Sequence, residues 1–184
     1  MLQIIDYMKN VRVIAGLLFF ITRLLGVLIL LTTIYACTVI VLFRANPSSS
    51  LPVRILDNGA TFQVFFPFTH LPFILGDYTT SFLVTNFLTL SFYGLFLWLL
   101  SDVLRAFQQV KMFTRKATVQ LTRFYIINLV VPFMFLGLLL VFGKEMADLV
   151  RIILLHLVIG IFAYFMAAIF KQGLLLQEEQ DLTL

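Results

Sequence analysis

The chain has 184 residues, of which 61% are hydrophobic and 12% are charged, and it carries a net charge of +4. Soluble domains contain about 25% charged residues, so this composition excludes an ordinary water-soluble domain, which would aggregate through its apolar surface. The basic residues flank apolar runs instead of forming a patch of their own, which argues against direct binding of nucleic acid.

Four runs without a single Asp, Glu, Lys or Arg divide the chain. They cover residues 24–43, 78–101, 124–143 and 152–170. A helix rises about 1.5 Å per residue, so about 20 apolar residues cross the roughly 30 Å hydrocarbon core of a bilayer. Within lipid, backbone N–H and C=O groups must pair inside their own segment, which favours helices. The sequence therefore predicts an all-α membrane protein, one integral membrane domain over residues 1–184 with four transmembrane helices.

The segment before the first run, residues 1–22, has an amphipathic pattern in which polar residues are set among apolar ones. This pattern is typical of a helix that lies on a membrane surface. A helix that ran unbroken through residues 3–43 would be about 60 Å long, twice the hydrocarbon core. We therefore expect it to tilt, bend or lie partly in the interface, with Gly16 and Gly26 as candidate bend points.

The connection between the first two runs, residues 44–77, carries a hairpin signal. Two β-prone stretches flank Asn58 and Gly59, a pair that favours a tight turn. We predict a small extracytoplasmic β-hairpin that Pro67 and Pro72 bring to an end. Four phenylalanines are expected to press it onto lipid or onto the helix ends as an aromatic belt: Phe65, Phe66, Phe68 and Phe73. An apolar substrate entrance is the alternative interpretation of these rings.

Basic residues favour one side of the predicted bundle. Residues 1–23, 102–123 and 171–184 share that side if all four runs cross the membrane, and they hold three, five and one Lys or Arg residues. The two connections on the other side hold four, balanced by four acids. Because cytoplasmic loops collect Lys and Arg, both termini are predicted to lie in the cytoplasm.

The cytoplasmic segment 102–123 is predicted to extend the second helix, turn, and lead into the third. Thr114 is a candidate cap for the third helix. Arg115, Lys116 and Arg123 are expected near the phosphates of the inner leaflet. A basic flank of this kind is an ordinary topology signal, and a regulatory docking site is the alternative interpretation.

The tail, residues 171–184, combines acidic residues with leucines. If the fourth helix continues into it, Leu175, Leu176, Glu179 and Leu182 lie near one face. One interpretation is that this helix end packs on the basic segment, acid against base. The other is that the tail displays a short motif to a soluble partner. A tail released from the basic segment could do both in turn.

Three polar residues inside the runs are candidate intramembrane sites: Asn86, Asn128 and His156. An Asn in a span is expected to hydrogen-bond to another helix, and Pro132 to kink the third helix. His156 is expected near the outer interface, where water reaches it. The only other histidine lies in the outer loop, so haem ligation by two helices is not expected, and no cofactor is predicted.

Polar residues on the outer side do not form a recognisable reactive site. Five of them could gather there, but their spacing does not single out a metal site: His70, Asp77, Glu145, Asp148 and His156. No nucleophile and base stand at a catalytic spacing, so no catalytic residue is predicted.

Two stretches of the cytoplasmic layer resemble a known family. The first begins with Phe113 and Thr114 and ends with Leu-Thr-Arg-Phe at Phe124. The second is the C-terminal stretch 169–184. Both resemble the bacterial membrane proteins of domain-of-unknown-function family 2975. Nine positions match that family's C-terminal signature: Phe170, Lys171, Gly173, Leu176, Glu179, Asp181, Leu182, Thr183 and Leu184.

This resemblance covers about residues 20–184. It implies four helices in a bacterial inner membrane and an outer loop between the first two. Genes of the family often stand beside one for a small helix-turn-helix transcriptional regulator, which implies such a regulator as a cytoplasmic partner. The chain departs from the family around the Phe-Thr turn, with Lys111 and Met112 before it and Arg115 and Lys116 after it.

The leading hypothesis is a non-enzymatic inner-membrane protein that senses or scaffolds and relays its state to this cytoplasmic partner. Ten residues are the predicted partner-binding set: Phe113, Thr114, Arg115, Lys116, Arg123, Gly173, Glu179, Asp181, Leu182 and Thr183. The alternative is a subunit of a larger membrane complex or a small transporter. A membrane enzyme with an outer-face polar site around His70, Asp77 and His156 is the third hypothesis. Association with other copies of the chain stays open.

Overall fold

The computed structural model describes residues 2–47, 51–109, 111–142 and 148–182. It contains four helices, α1 (Leu2–Ala45), α2 (Thr80–Phe107), α3 (Arg115–Phe142) and α4 (Asp148–Leu182). Each is long and apolar enough to cross a membrane, over Lys9–Ala45, Thr80–Phe107, Arg115–Phe142 and Leu149–Leu182. The predicted four-helix architecture is therefore confirmed at this level.

Two helix starts follow directly from the local sequence. Thr79 stands before α2, and its Oγ1 accepts a hydrogen bond from the backbone N–H of Phe82 at 3.3 Å. Thr114 stands before α3, and its Oγ1 accepts from the N–H of Ala117 at 3.2 Å. Each threonine satisfies one of the N–H groups that a helix start leaves without a partner. The prediction that Thr114 caps the third helix is confirmed.

The chain forms two compact units. One is Val27–Gly94, and the other combines Met1–Gly26 with Leu95–Leu184. The division of α1 falls at Gly26, a residue proposed from the sequence as a bend point, and α1 is helical on both sides of it. How residues 1–22 lie against a membrane stays a prediction.

The unit Val27–Gly94 carries a small antiparallel sheet of three strands, β1 (Val53–Leu56), β2 (Thr61–Phe65) and β3 (Pro72–Asp77), in the order β1-β2-β3. Strands β1 and β2 form the predicted hairpin around a short 3₁₀ turn. Asp57, Asn58 and Gly59 in that turn all have positive φ, a conformation that suits Gly and is tolerated by Asn and Asp.

The prediction that Pro72 helps to end the hairpin is wrong. Pro72 instead begins β3, which pairs with β2 across an irregularity between Val64 and Phe65. Proline lacks a backbone N–H, yet it is tolerated as the first residue of an edge strand, where a missing donor does not break the ladder. The two-stranded hairpin is therefore a three-stranded sheet.

Buried and partly exposed side chains alternate along β2, and the buried ones anchor the sheet within its unit. Phe62 and Val64 point to the same face and are completely buried, in a cluster with Ala36, Ile40 and Leu83. The Tyr35 hydroxyl donates a hydrogen bond to the Phe65 carbonyl at 3.1 Å. Helix α1 thus holds the sheet through packing and through one polar contact.

The expected aromatic belt is only partly an anchor. Phe73 packs on the buried cluster, and its ring lies 5.9 Å from that of Tyr35. Phe68 is instead fully exposed, at a positive φ of 61°, and Phe66 is 42% exposed. Phe68 therefore does not press the sheet onto the helix ends within this unit. Phe62, which is completely buried, anchors the sheet instead.

The other unit has a core built from α2, α3 and α4. Its buried residues are Val103, Ala106, Ala117, Leu121, Phe124, Ala163, Ala167 and Phe170. Half of them are alanines, and small side chains let apolar helices approach closely and gain van der Waals contact. This close packing supports the polar contacts described below.

Replacing Phe62 by Ala should destabilise the sheet by about 3–5 kcal/mol, because the change leaves a cavity where a large side chain was fully buried. Proteolysis of residues 44–77 in detergent measures the effect as faster cleavage. The matched change Phe68→Ala should leave the cleavage rate as it is, since that ring is exposed. Equal cleavage rates for the two variants would contradict the role of Phe62 as the anchor of the sheet.

Candidate functional site

A buried polar pair joins α3 to α4. The His156 Nδ1 and the Asn128 Oδ1 are 2.8 Å apart, and the Asn128 Nδ2 donates to the Phe124 carbonyl at 2.8 Å. Because the amide N–H is committed to Phe124, the amide oxygen accepts from His156. Asn128 is 0% exposed and His156 is 1% exposed. The expectation that water reaches His156 is therefore wrong, and the Asn128 bond to a second helix is as predicted.

Two further residues make this contact fit. A Cβ on Gly160, one turn beyond His156, would lie 2.7 Å from the Leu129 side chain and 3.2 Å from the Asn128 backbone. Any side chain at this position would force Leu129 to move, so Gly160 favours the close approach of α4 to α3. Pro132 is buried four residues after Asn128, and its ring removes the N–H that would bond to the Asn128 carbonyl.

The Phe96 ring of α2 packs against the Asn128–His156 pair. It meets the His156 ring edge-on at 5.0 Å between centroids, and the Phe124 ring at 5.4 Å. Phe96 and Phe124 also line an apolar crevice of about 320 Å³ between α2, α3 and α4. The lining of that crevice carries no polar surface, so it offers apolar contact and no chemistry.

An ion pair joins the first part of α1 to the end of α2. The Arg23 guanidinium bonds to the Asp102 carboxylate, and both side chains are about three-quarters buried. The guanidinium also lies over the Trp98 ring, 4.0 Å from its centroid. A cation–π contact of this kind stabilises a charge that is partly removed from water. In the sequence Arg23 and Asp102 are only charges that flank apolar runs, and no pattern there indicates their contact.

This ion pair belongs to a continuous helix–helix contact. Ala15, Phe19 and Arg23 are spaced four apart and share one face of α1. Gln108 donates to the Ala15 carbonyl at 3.4 Å, and the Arg105 guanidinium lies 5.8 Å from the centroid of the Phe19 ring. The segment before the first run therefore packs antiparallel on the end of α2.

The two stretches that carry the family resemblance meet in the structure. The Phe113 ring lies 5.3 Å from that of Phe170, and a Cβ on Gly173 would come within 2.6 Å of Phe113. Phe107 packs on Phe170 from the end of α2, at 5.6 Å. The absence of a side chain at Gly173 thus makes room for the Phe113 ring that precedes α3.

The tail continues α4 as a helix through Leu182. Leu175, Leu176 and Leu182 are 51%, 61% and 87% exposed, and Glu179 and Asp181 are exposed as well. The predicted face of leucines and acids is therefore present on a regular helix. Thr183 and Leu184 lie outside the described residues.

The remaining predicted residues have simpler positions. Arg115, Lys116 and Arg123 are exposed on the first turns of α3, and Asn86 is half-buried in α2. His70 and Asp77 are exposed in the sheet unit, whereas His156 is buried beside Asn128. Among the residues that the structure describes, no three His, Cys, Asp or Glu side chains could hold a metal ion. Glu145 and the Asp148 side chain lie outside that part.

The contact between Asn128 and His156 should show a coupling free energy of about 0.6–1.7 kcal/mol, the range for hydrogen bonds between membrane helices. A double-mutant cycle of Asn128→Ala and His156→Ala, followed by unfolding in detergent, measures it. Strictly additive losses would contradict a direct bond. Gly160→Leu should destabilise the same helix pair, because its side chain collides with Leu129.

Reversing one charge of the ion pair, as in Arg23→Glu, should cost about 2 kcal/mol, between the values for exposed and buried pairs. The double variant Arg23→Glu with Asp102→Arg should recover part of this loss, as judged by thermal unfolding in detergent. Arg23→Lys keeps the charge but loses the planar stack on Trp98, so its loss should be smaller. No recovery in the double variant would rule out a direct pair.

Comparison of the chain with protein-family models, with curated proteins and with solved structures finds no match. The resemblance to domain-of-unknown-function family 2975 therefore stays a prediction, carried by the residues around Phe113 and by the tail.

Proposed function

We propose that the chain is a non-enzymatic, multi-pass protein of a bacterial inner membrane that relays its state to a soluble partner in the cytoplasm. The observation that carries this proposal is the continuity of α4. One unbroken helix contains His156, bonded to α3, then Phe170 and Gly173, packed on Phe113, and then the exposed leucines of the tail.

Continuity gives the relay a physical route. A helix transmits displacement along its axis because each of its turns is hydrogen-bonded to the next. A change in α3–α4 packing beside Gly160 would therefore move the tail as part of the same rigid element. Packed side chains and rigid secondary elements of this kind can carry energetic coupling between distant sites.

The tail has the surface of a helix that docks in a groove. Leu175, Leu176 and Leu182 recur at the spacing of one helix face, and they remain exposed while Phe170 is buried. Glu179 and Asp181 set acidic charge beside these leucines. The complementary partner surface is an apolar groove with basic edges. The family resemblance favours a helix-turn-helix transcriptional regulator as the owner of that groove.

The distribution of charge supports the orientation. Residues 1–23, 102–123 and 171–184, which share one side if all four helices cross the membrane, hold nine Lys or Arg residues, against four on the other side. Basic segments are retained on the cytoplasmic side during insertion. We therefore assign the tail and the start of α3 to the cytoplasm, and the sheet of Val53–Asp77 to the outer side.

Replacing Leu175 and Leu176 by Ala should reduce capture of the partner at least about tenfold, since exposed anchors of a docking helix contribute about 1–2 kcal/mol each. Full-length tagged protein is recovered from native membranes in mild detergent, crosslinked and identified by mass spectrometry. Changing Asp181, Leu182 and Thr183 together to Ala should abolish capture of the partner. Insertion into the membrane should be unaffected.

Leu154 and Leu155 provide the matched control, because this pair has the same spacing and similar exposure earlier in α4. Their change to Ala should leave capture intact. Crosslinks from Lys111, Lys116 or Lys171 to a small DNA-binding protein would support the relay. Crosslinks mainly to integral membrane proteins would favour a subunit of a larger complex instead, and recovery of the protein alone would contradict both.

A further inference from the structure

A basic groove separates the end of α2 from the start of α3. It has a volume of about 240 Å³, and seven residues line it: Arg105, Ala106, Gln109, Thr114, Lys116, Ala117 and Gln120. The two alanines are buried and form the floor, at 4% and 2% exposure. The long side chains of Arg105, Gln109 and Lys116 are exposed and form the rim.

Among the residues that the structure describes, none neutralises the charge of this groove. No carboxylate lines it, and the acid nearest in sequence, Asp102, is bonded to Arg23. Within the described part of the chain, neither Arg105 nor Lys116 forms an ion pair. Arg105 instead faces the Phe19 ring, a contact that leaves its N–H groups available to an anion.

The start of α3 adds to the positive potential. Lys116 is in the first turn of this helix, where the aligned peptide dipoles place partial positive charge. Gln109, two residues after the end of α2, and Gln120 of α3 supply neutral amide donors. The groove thus combines one planar guanidinium, one ammonium and two amides around a floor of small side chains.

We propose that this groove binds the phosphate of an anionic phospholipid headgroup. Arginine can bond two phosphate oxygens at once, lysine acts as a compact charge, and the amides suit ester or glycerol oxygens. The headgroup is the favoured source because both helices change here from charge-free runs to the charged segment 102–123. Basic pockets between membrane helices bind headgroups at this level of the bilayer.

The groove uses only some of the basic residues of segment 102–123. Lys116 lines it, whereas Arg115 and Arg123 of the same helix do not. The proposal depends on the helices crossing a membrane and not on the partner relay. Its test therefore uses purified protein without a partner, so that either proposal can fail alone.

The experiment is lipid titration of the full chain in detergent, read by native mass spectrometry. Dioleoylphosphatidylglycerol should bind at least about tenfold more tightly than dioleoylphosphatidylcholine, since each basic contact to an anionic lipid adds affinity. The double variant Arg105→Gln with Lys116→Gln should lose roughly tenfold in affinity for the anionic lipid. The variant Arg115→Gln with Arg123→Gln, matched in charge, should stay within about twofold of the unaltered protein.

Equal losses in the two double variants would overturn the site in favour of diffuse charge. Equal binding of the two lipids by the unaltered protein would overturn it without any variant, so a variant that fails to fold does not block the test. Displacement of the anionic lipid by millimolar inorganic phosphate would assign the groove to a soluble phosphate instead of a headgroup. Gel filtration of each variant checks that it is folded.

Discussion

The hydrogen bond between Asn128 and His156 is the contact on which the packing of α3 against α4 depends. Inside a bundle of apolar helices a polar side chain finds few alternative partners, and leaving one without a partner is costly. Both side chains are buried, so a slip of one helix along the other would separate them. The bond therefore fixes the register of the pair, and Gly160 and the alanines of the core let the backbones come close enough to make it.

The ion pair of Arg23 and Asp102 fixes a second register by the same reasoning. Apolar faces slide past one another at little cost, because one leucine contact resembles the next. A charged bond, with Trp98 stacked on the guanidinium, has one geometry. Polar contacts thus position each of these helix pairs, and apolar packing stabilises the core of α2, α3 and α4. This division explains how a chain with so few charged residues can specify one arrangement.

Most of the architecture could be predicted because long charge-free runs have few structural outcomes in lipid. The turn at Asn58 and Gly59 could likewise be predicted, because this residue pair favours a tight turn. The third strand is harder to predict, because a proline such as Pro72 can either end a strand or begin an edge strand. The Arg23–Asp102 contact was missed because the two residues are far apart in sequence, and flank charges carry no information about their partners. The burial of His156 depends on Phe96 and Gly160, which no local pattern connects to it.

Because α4 is one unbroken helix, the number of residues between His156 and the tail fixes the direction in which the tail's side chains point. Its 35 residues span about 52 Å, well beyond the roughly 30 Å hydrocarbon core. The leucines of the tail therefore have a set angle about the helix axis, measured from His156. One residue inserted after Gly173 would turn them by about 100°, whereas four would nearly restore the original direction one turn farther along the axis. A partner docked on these leucines would thus be held at a defined angle and distance from His156.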